Sequence, residues 1–187
     1  FVEKECWPVV DQWEEAGIVP REVYRRMGEL GFLGLRYPEA YGGAGADIFM
    51  TVVFCEELAR CRSGGFAMGT MVHTDMASPH IVRQGTPDQK ARYLRPLIAG
   101  EQICAIAVTE PGGGSDVAGM RTTAERKKDR YILNGSKMFI TNAVIADIFV
   151  VAAKTDPGLG HRGISMFLVE KGMPGFHVSR KLDKLGM

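Results

Sequence analysis

Apolar residues in the first hundred positions recur at helical spacing. Val23, Met27 and Leu30 stand at i, i+4 and i+7, and Phe49, Val52, Val53, Leu58 and Ala59 make a second stripe. Both predict amphipathic helices that pack on one another through those positions. Pro20 sits where a helix can start, and Thr86-Pro87-Asp88-Gln89 combines a capping Thr, a first-turn Pro and a Gln at the capping-box position. That helix should run to about Ile98 and stop near Gly100. A further helix, broken at Pro79, is predicted over 66–84, and the glycine-rich stretch 41–46 between helices reads as a loop.

After Gly100 the period shortens. Short runs rich in β-branched and aromatic residues predict strands at 103–109, 121–126, 131–133, 137–141, 148–153, 164–169 and 176–179. Asn134-Gly135 lies between two of them and suits a tight hairpin turn, and Gly158, Gly160 and Gly163 mark a turn before Ile164. The fold class is therefore α+β, with an all-α helical domain over 1–102 and an incomplete β domain, barrel- or sandwich-like, over 103–187. Charge divides at the same place, with 11 basic against 13 acidic side chains before residue 100 and 12 against 9 after it.

Across all 187 residues 23 basic side chains meet 22 acidic ones, so no bulk field favours nucleic acid or an anionic membrane, and an anionic ligand must be held locally. The most apolar stretch, Ile148 to Ala153, is bounded by Asp147 and Lys154 and is far too short to span a bilayer. Cys6, Cys55, Cys61 and Cys104 show no Cys-x-x-Cys spacing and read as free thiols of a reducing compartment. The chain starts at Phe1 without a secretory pattern and stops at Met187, just after the run Lys181 to Leu185, with no finishing element, so both ends read as cut.

Several chemical signatures nearly form and fail. Gly112-Gly113-Gly114-Ser115-Asp116-Val117 lacks the last glycine of a dinucleotide fingerprint, the lysine of a phosphate loop and the closing glycine of a hydrolase elbow. His73 and His80 are separated by Pro79 and have no Glu to complete a zinc pattern, so they read as ordinary histidines. Met68, Met71 and Met76 suit either a greasy channel or, more simply, a core.

The informative run is Ala107 to Gly119. A predicted strand ends at Thr109, Pro111 breaks it, and three glycines let the main chain approach a ligand with its amides exposed, a geometry suited to a phosphate bridge. Ser115 adds a hydroxyl, and Thr109 stands where it can reach a polar ring edge. A second segment, Met138 to Asn142, would carry Phe139 and Thr141 on one strand face, an aromatic ring beside a hydroxyl. A glycine-rich surface loop and an ordinary sheet segment are the alternative readings of these two pieces taken singly.

Taken together they resemble the acyl-CoA dehydrogenase family. The resemblance rests on the 107–119 run, on Gly34-Leu35 leading to Pro38-Glu39-Ala40-Tyr41-Gly42-Gly43, on Asn134-Gly135-Ser136-Lys137, and on Gly163-Ile164-Ser165 with Phe167-Leu168-Val169. It implies a helical domain, a middle β domain and a C-terminal four-helix bundle absent from this chain, with FAD and acyl-CoA between them. Carried over by position, Ile106, Thr109, Gly114, Ser115, Phe139, Ile140 and Thr141 would contact FAD, with Thr109 at the flavin pyrimidine edge, Ser115 at the pyrophosphate or the substrate, Phe139 on the ring and Thr141 near flavin N5. Many relatives have Trp at the position of Phe139 and an aromatic residue at that of Ile106.

The resemblance further implies removal of a proton α to the thioester with hydride transfer to flavin. The catalytic base would be a Glu beyond Met187, so none of Glu110, Glu56 and Glu57 is assigned that part. Electron-transfer flavoprotein is the implied acceptor, the assembly a homodimer or homotetramer, and the location the cytoplasm of a bacterium or the matrix of a mitochondrion. Oxidases and monooxygenases of the same fold, and a non-catalytic acyl-CoA- or flavin-binding protein, are the competing functions.

Overall fold

The computed structural model describes residues 1–184, so the end of the Lys181–Leu185 run and Met187 lie outside the described residues. Six α-helices come first: α1 (Val10–Ala16), α2 (Arg21–Glu29), α3 (Ile48–Ala59), α4 (Gly64–Met71), α5 (Pro79–Gln84) and α6 (Pro87–Ile98). Their boundaries follow local chemistry. Asp47 and Ser63 accept hydrogen bonds from the first amides of α3 and α4, and Thr86 and Gln89 close the expected capping box on α6. The predicted 66–84 helix is α4 and α5 joined through a wider, π-helical turn at Val72–Ala77.

Five strands follow: β1 (Cys104–Ala107), β2 (Thr123–Lys127), β3 (Arg130–Asn134), β4 (Ile148–Lys154) and β5 (Ile164–Glu170). They form one mixed sheet that branches at β4. β1 runs parallel to β4, with Cys104 opposite Ile148, and β5 runs antiparallel to it along its whole length. β2 joins β4 only at Thr123 and Lys154 and forms a hairpin with β3.

Burial explains why β4 reads as an unbroken apolar run. Ile148 and Val150 face one cluster with Tyr37, Ile81, Tyr93, Leu94 and Leu97, whereas Phe149 and Val151 face another with Trp13, Tyr24 and Phe66. Helices therefore cover both faces of the strand, and each cluster draws residues from both sides of residue 100.

Three local expectations are corrected. The 137–141 segment is not a strand: Phe139 has φ +58°, which ends any extended run, and β3 stops at Asn134. The hairpin turn is accordingly not Asn134-Gly135 but Lys128-Asp129, between Lys127 and its partner Arg130. Gly135 serves a close approach instead, since a Cβ there would stand 2.3 Å from Thr122 Oγ1. Residues 176–179 pair with no strand either.

The second helical stripe also departs from expectation. Leu58 is buried, but Phe49 is 73% exposed and Val52 and Val53 are about half exposed, because α3 is apolar on most sides and packs through only one. Met68 and Met76 are exposed, and Met71, half-buried, packs against the Trp13 cluster, so the core reading holds for Met71 alone of the three. No described helix is long and apolar enough to cross a membrane.

Candidate cofactor site

β1 carries the chain out of the core towards its predicted site residues. Ile106 is half-buried on β1, packed against the Ile148 cluster, and Thr109 follows two residues after the strand. Pro111 to Gly119 then lie wholly on the surface. Glu110 and Gly113 exchange both of their backbone hydrogen bonds, at 3.0 and 3.1 Å, which folds the loop into a tight turn. The Gly113 amide is thus committed to the turn, contrary to the expectation that all three glycine amides are free.

The glycines at 112 and 113 have a telling environment. Neither has positive φ, and a Cβ at either would meet nothing within 4 Å. Among the described residues nothing demands glycine at these two positions, and the bare main chain there is open to close approach. A Cβ at Gly114 would stand 3.3 Å from the Thr109 side chain, which ties the loop to the strand exit. Ser115 is exposed beside it.

The second segment lies against the first. The Met138 amide donates to the Thr109 carbonyl at 2.9 Å, and the Phe139 ring, 59% exposed, projects from a left-handed residue rather than from a strand face. The Lys184 ammonium stands 5.6 Å from its centroid. Ile140 packs against the Trp13 cluster, and Thr141 is half-buried where a run of turns begins. Thr109, Gly114 and the 138–141 segment are brought together; Ile106 and Ser115 flank them along the chain.

A buried ion pair underlies this arrangement. Glu110 accepts from Lys137 Nζ at 2.9 Å, from the amides of Arg121 and Thr122 at 2.6 and 2.9 Å and from the Thr122 hydroxyl, and Lys137 Nζ also donates to the Val108 carbonyl at 2.9 Å. The two side chains are only 8% and 10% exposed. Burial pushes the Glu110 carboxyl up, but the hydrogen bonds from Thr122, the Arg121 amide and Lys137 together prevail and hold its pKa at about 2. An anion so fully engaged is neither free nor basic enough to take a proton from a substrate.

Asn142 and His73 join this region to the helices. Asn142, at φ +68°, donates through Nδ2 to the Gly69 carbonyl at 2.8 Å and the Cys104 carbonyl at 3.3 Å. His73 Nδ1 accepts from the Cys104 amide and Nε2 donates to the Leu97 carbonyl, each at 3.0 Å. His73 is therefore a packed residue. Sequence reasoning missed Lys137 and Asn142, although an Asn directly after Thr141 is the residue type that tolerates a left-handed turn. Among the described residues no cluster of His, Cys, Asp and Glu could hold a metal ion.

Comparison with known proteins gives a family match to each of the two regions. The N-terminal domain of acyl-CoA dehydrogenase matches residues 1–101, and the middle domain of the same enzymes matches residues 105–187. The chain belongs to the acyl-CoA dehydrogenase family. It is 44% identical to the mouse mitochondrial long-chain specific acyl-CoA dehydrogenase over 100% of this chain and 44% of that protein. An acyl-CoA dehydrogenase crystal structure from Geobacillus kaustophilus superimposes with a TM-score of 0.94 at 47% identity, over 98% of this chain and 48% of the other. PigA, solved with FAD and proline, matches with a TM-score of 0.88 at 36% identity over 92% of this chain and 45% of its own. The chain thus spans about half the length of the relatives it matches.

Proposed function

We propose that this chain forms the flavin-facing part of an FAD-dependent dehydrogenase that oxidises the acyl group of an acyl-CoA thioester. The observation that carries the reading is the convergence of an open-backed glycine loop and an exposed Phe139 ring, held together through Thr109, in a chain of this family. FAD, when bound, supplies the acceptor for the hydride that leaves the β carbon. The residues present fit that cofactor: glycines at 112 and 113 that packing among the described residues does not require, a neighbouring hydroxyl, and an exposed aromatic ring.

In this reading the free loop amides, Gly114 among them, and the Ser115 hydroxyl hold the pyrophosphate. Ile106 and Thr109 bound the pyrimidine edge, Phe139 packs on the ring, and Ile140 and Thr141 position its reactive face, with Ser115 also within reach of substrate. The helical region 1–102 backs this surface and 103–187 carries the contacts. The α-proton goes to a carboxylate base outside these residues, because Glu110 is fully engaged and Glu56 and Glu57 lie exposed on α3, with Glu57 paired to Arg60. Electrons pass on to an electron-transferring flavoprotein, and the working enzyme is a homo-oligomer.

The test is anaerobic titration of the full-length flavoprotein with saturated acyl-CoAs of graded length and branching. Bleaching of the oxidised flavin by one of them is expected. A bound flavin that stays oxidised with all of them would contradict the dehydrogenase reading.

A further inference from the structure

Three segments around the candidate site meet at one carboxylate. Glu110 pins the start of the glycine loop to its end, since its oxygens accept from Arg121 and Thr122, where the loop returns into β2. Through Lys137 the same carboxylate reaches the base of the Phe139–Thr141 segment, and Lys137 adds the Val108 carbonyl on the β1 exit. No strand ladder does this work, because residues 135–140 pair with no strand and one backbone bond, Met138 to Thr109, is the only other direct tie between loop and segment among the described residues.

On the assignment of FAD made above, we propose that Glu110 and Lys137 are a positioning pair: they fix the spacing between the phosphate-facing loop and the ring-facing segment, so cofactor affinity depends on them although neither touches the cofactor. A planar ligand with a phosphate bridge must be gripped at both ends at once. If the two grips drift, each binds separately and the gain from simultaneous contact is lost. Burial makes the pair suited to the task, since a charge-assisted bond shielded from water is short, directional and little screened by salt.

A structural role alone must be separated from positioning. Removing one partner leaves an unpaired buried charge and threatens folding, whereas replacing both removes the charge altogether. The informative variant is the double Glu110→Gln, Lys137→Met, whose single amide oxygen keeps one of the bonds from the Arg121 and Thr122 amides while the link to residue 137 is severed. Full-length parent, double variant and Lys137→Arg are stripped of flavin and titrated with FAD, and the dichroism of bound flavin and the thermal unfolding of the apoproteins are recorded.

The expected result for the double variant is an apoprotein that folds, though it is less stable than the parent by the amide bond it loses, with FAD bound about tenfold more weakly or worse and altered flavin dichroism. Parent-like affinity and dichroism in the double variant would overturn the proposal and leave the FAD assignment standing; a parent that binds no FAD would overturn both. Should the double variant not fold, Lys137→Arg decides. A guanidinium keeps the charge but is a larger planar fork than the compact ammonium that reaches the Glu110 carboxylate and the Val108 carbonyl from one point, so the spacing between loop and segment should shift; weakened FAD binding in a folded protein is expected, and parent-like binding overturns the proposal.

Discussion

His73 is a base kept neutral by its surroundings. Burial pushes its pKa down to about 4, against the opposing pull of the Leu97 carbonyl and Asp147. Between pH 6.5 and about 4 the unfolded chain therefore binds a proton that the folded chain does not, so stability falls as pH falls through that window, by about 3 kcal/mol in total. Glu110, depressed to about 2, adds a second loss that begins only below its ordinary value near 4.5. Replacing His73 with Leu should flatten the upper window and cost about 1–3 kcal/mol at neutral pH, since the Cys104 amide and Leu97 carbonyl lose their partner. Urea unfolding at several pH values reads both effects; an unchanged pH slope would show that His73 is not the group responsible. The residue's role was legible only in part: the intervening Pro79 and the missing Glu made it read as an ordinary histidine, but nothing local announces a bond to Cys104, 31 positions away.

At the scale of elements, what was legible follows how locally each is determined. The capping box of α6 and the apolar run of β4 are written in adjacent residues, and both elements formed where expected. The 137–141 segment has strand composition but no partner, because Lys137 is drawn under the glycine loop and Phe139 turns to positive φ, a tertiary demand that overrides propensity. α3 shows the converse limit: its stripe predicts a buried face, and the composition of a helix apolar nearly all round does not say which side packs. Leu58→Ala is expected to cost about 2–5 kcal/mol in this chain, and Val52→Ala, on the exposed side, about 0.5 kcal/mol or less. Comparable losses in thermal or urea unfolding would mean that the packed face of α3 is misassigned.

On the scale of the whole molecule the helical and β regions share their cores, and polar bonds fix the joint. Arg21 on α2 pairs with Asp147 at 2.5 Å and donates to the Ile145 carbonyl, and Asn142 reaches back to Gly69 on α4. The turn that carries Thr141 is thereby held by the helices, so a lesion there should reach the site. Asn142→Ala is expected to destabilise more than Asn142→Gly, because both lose the side-chain bonds but only alanine also meets the strain of φ +68°. The reverse order in thermal unfolding would contradict that account of the joint.

The proposed cofactor is the central claim: the two segments suggested it only through the family resemblance they carry, and the fold sets them side by side at Thr109. Full-length parent protein and a Ser115→Ala, Thr141→Ala double variant are purified side by side, and the released cofactor is identified and its affinity measured by equilibrium titration. The account predicts FAD in the parent and markedly weaker retention in a variant that still folds. FMN in place of FAD, no flavin at all, or equal FAD affinity in both proteins would contradict it.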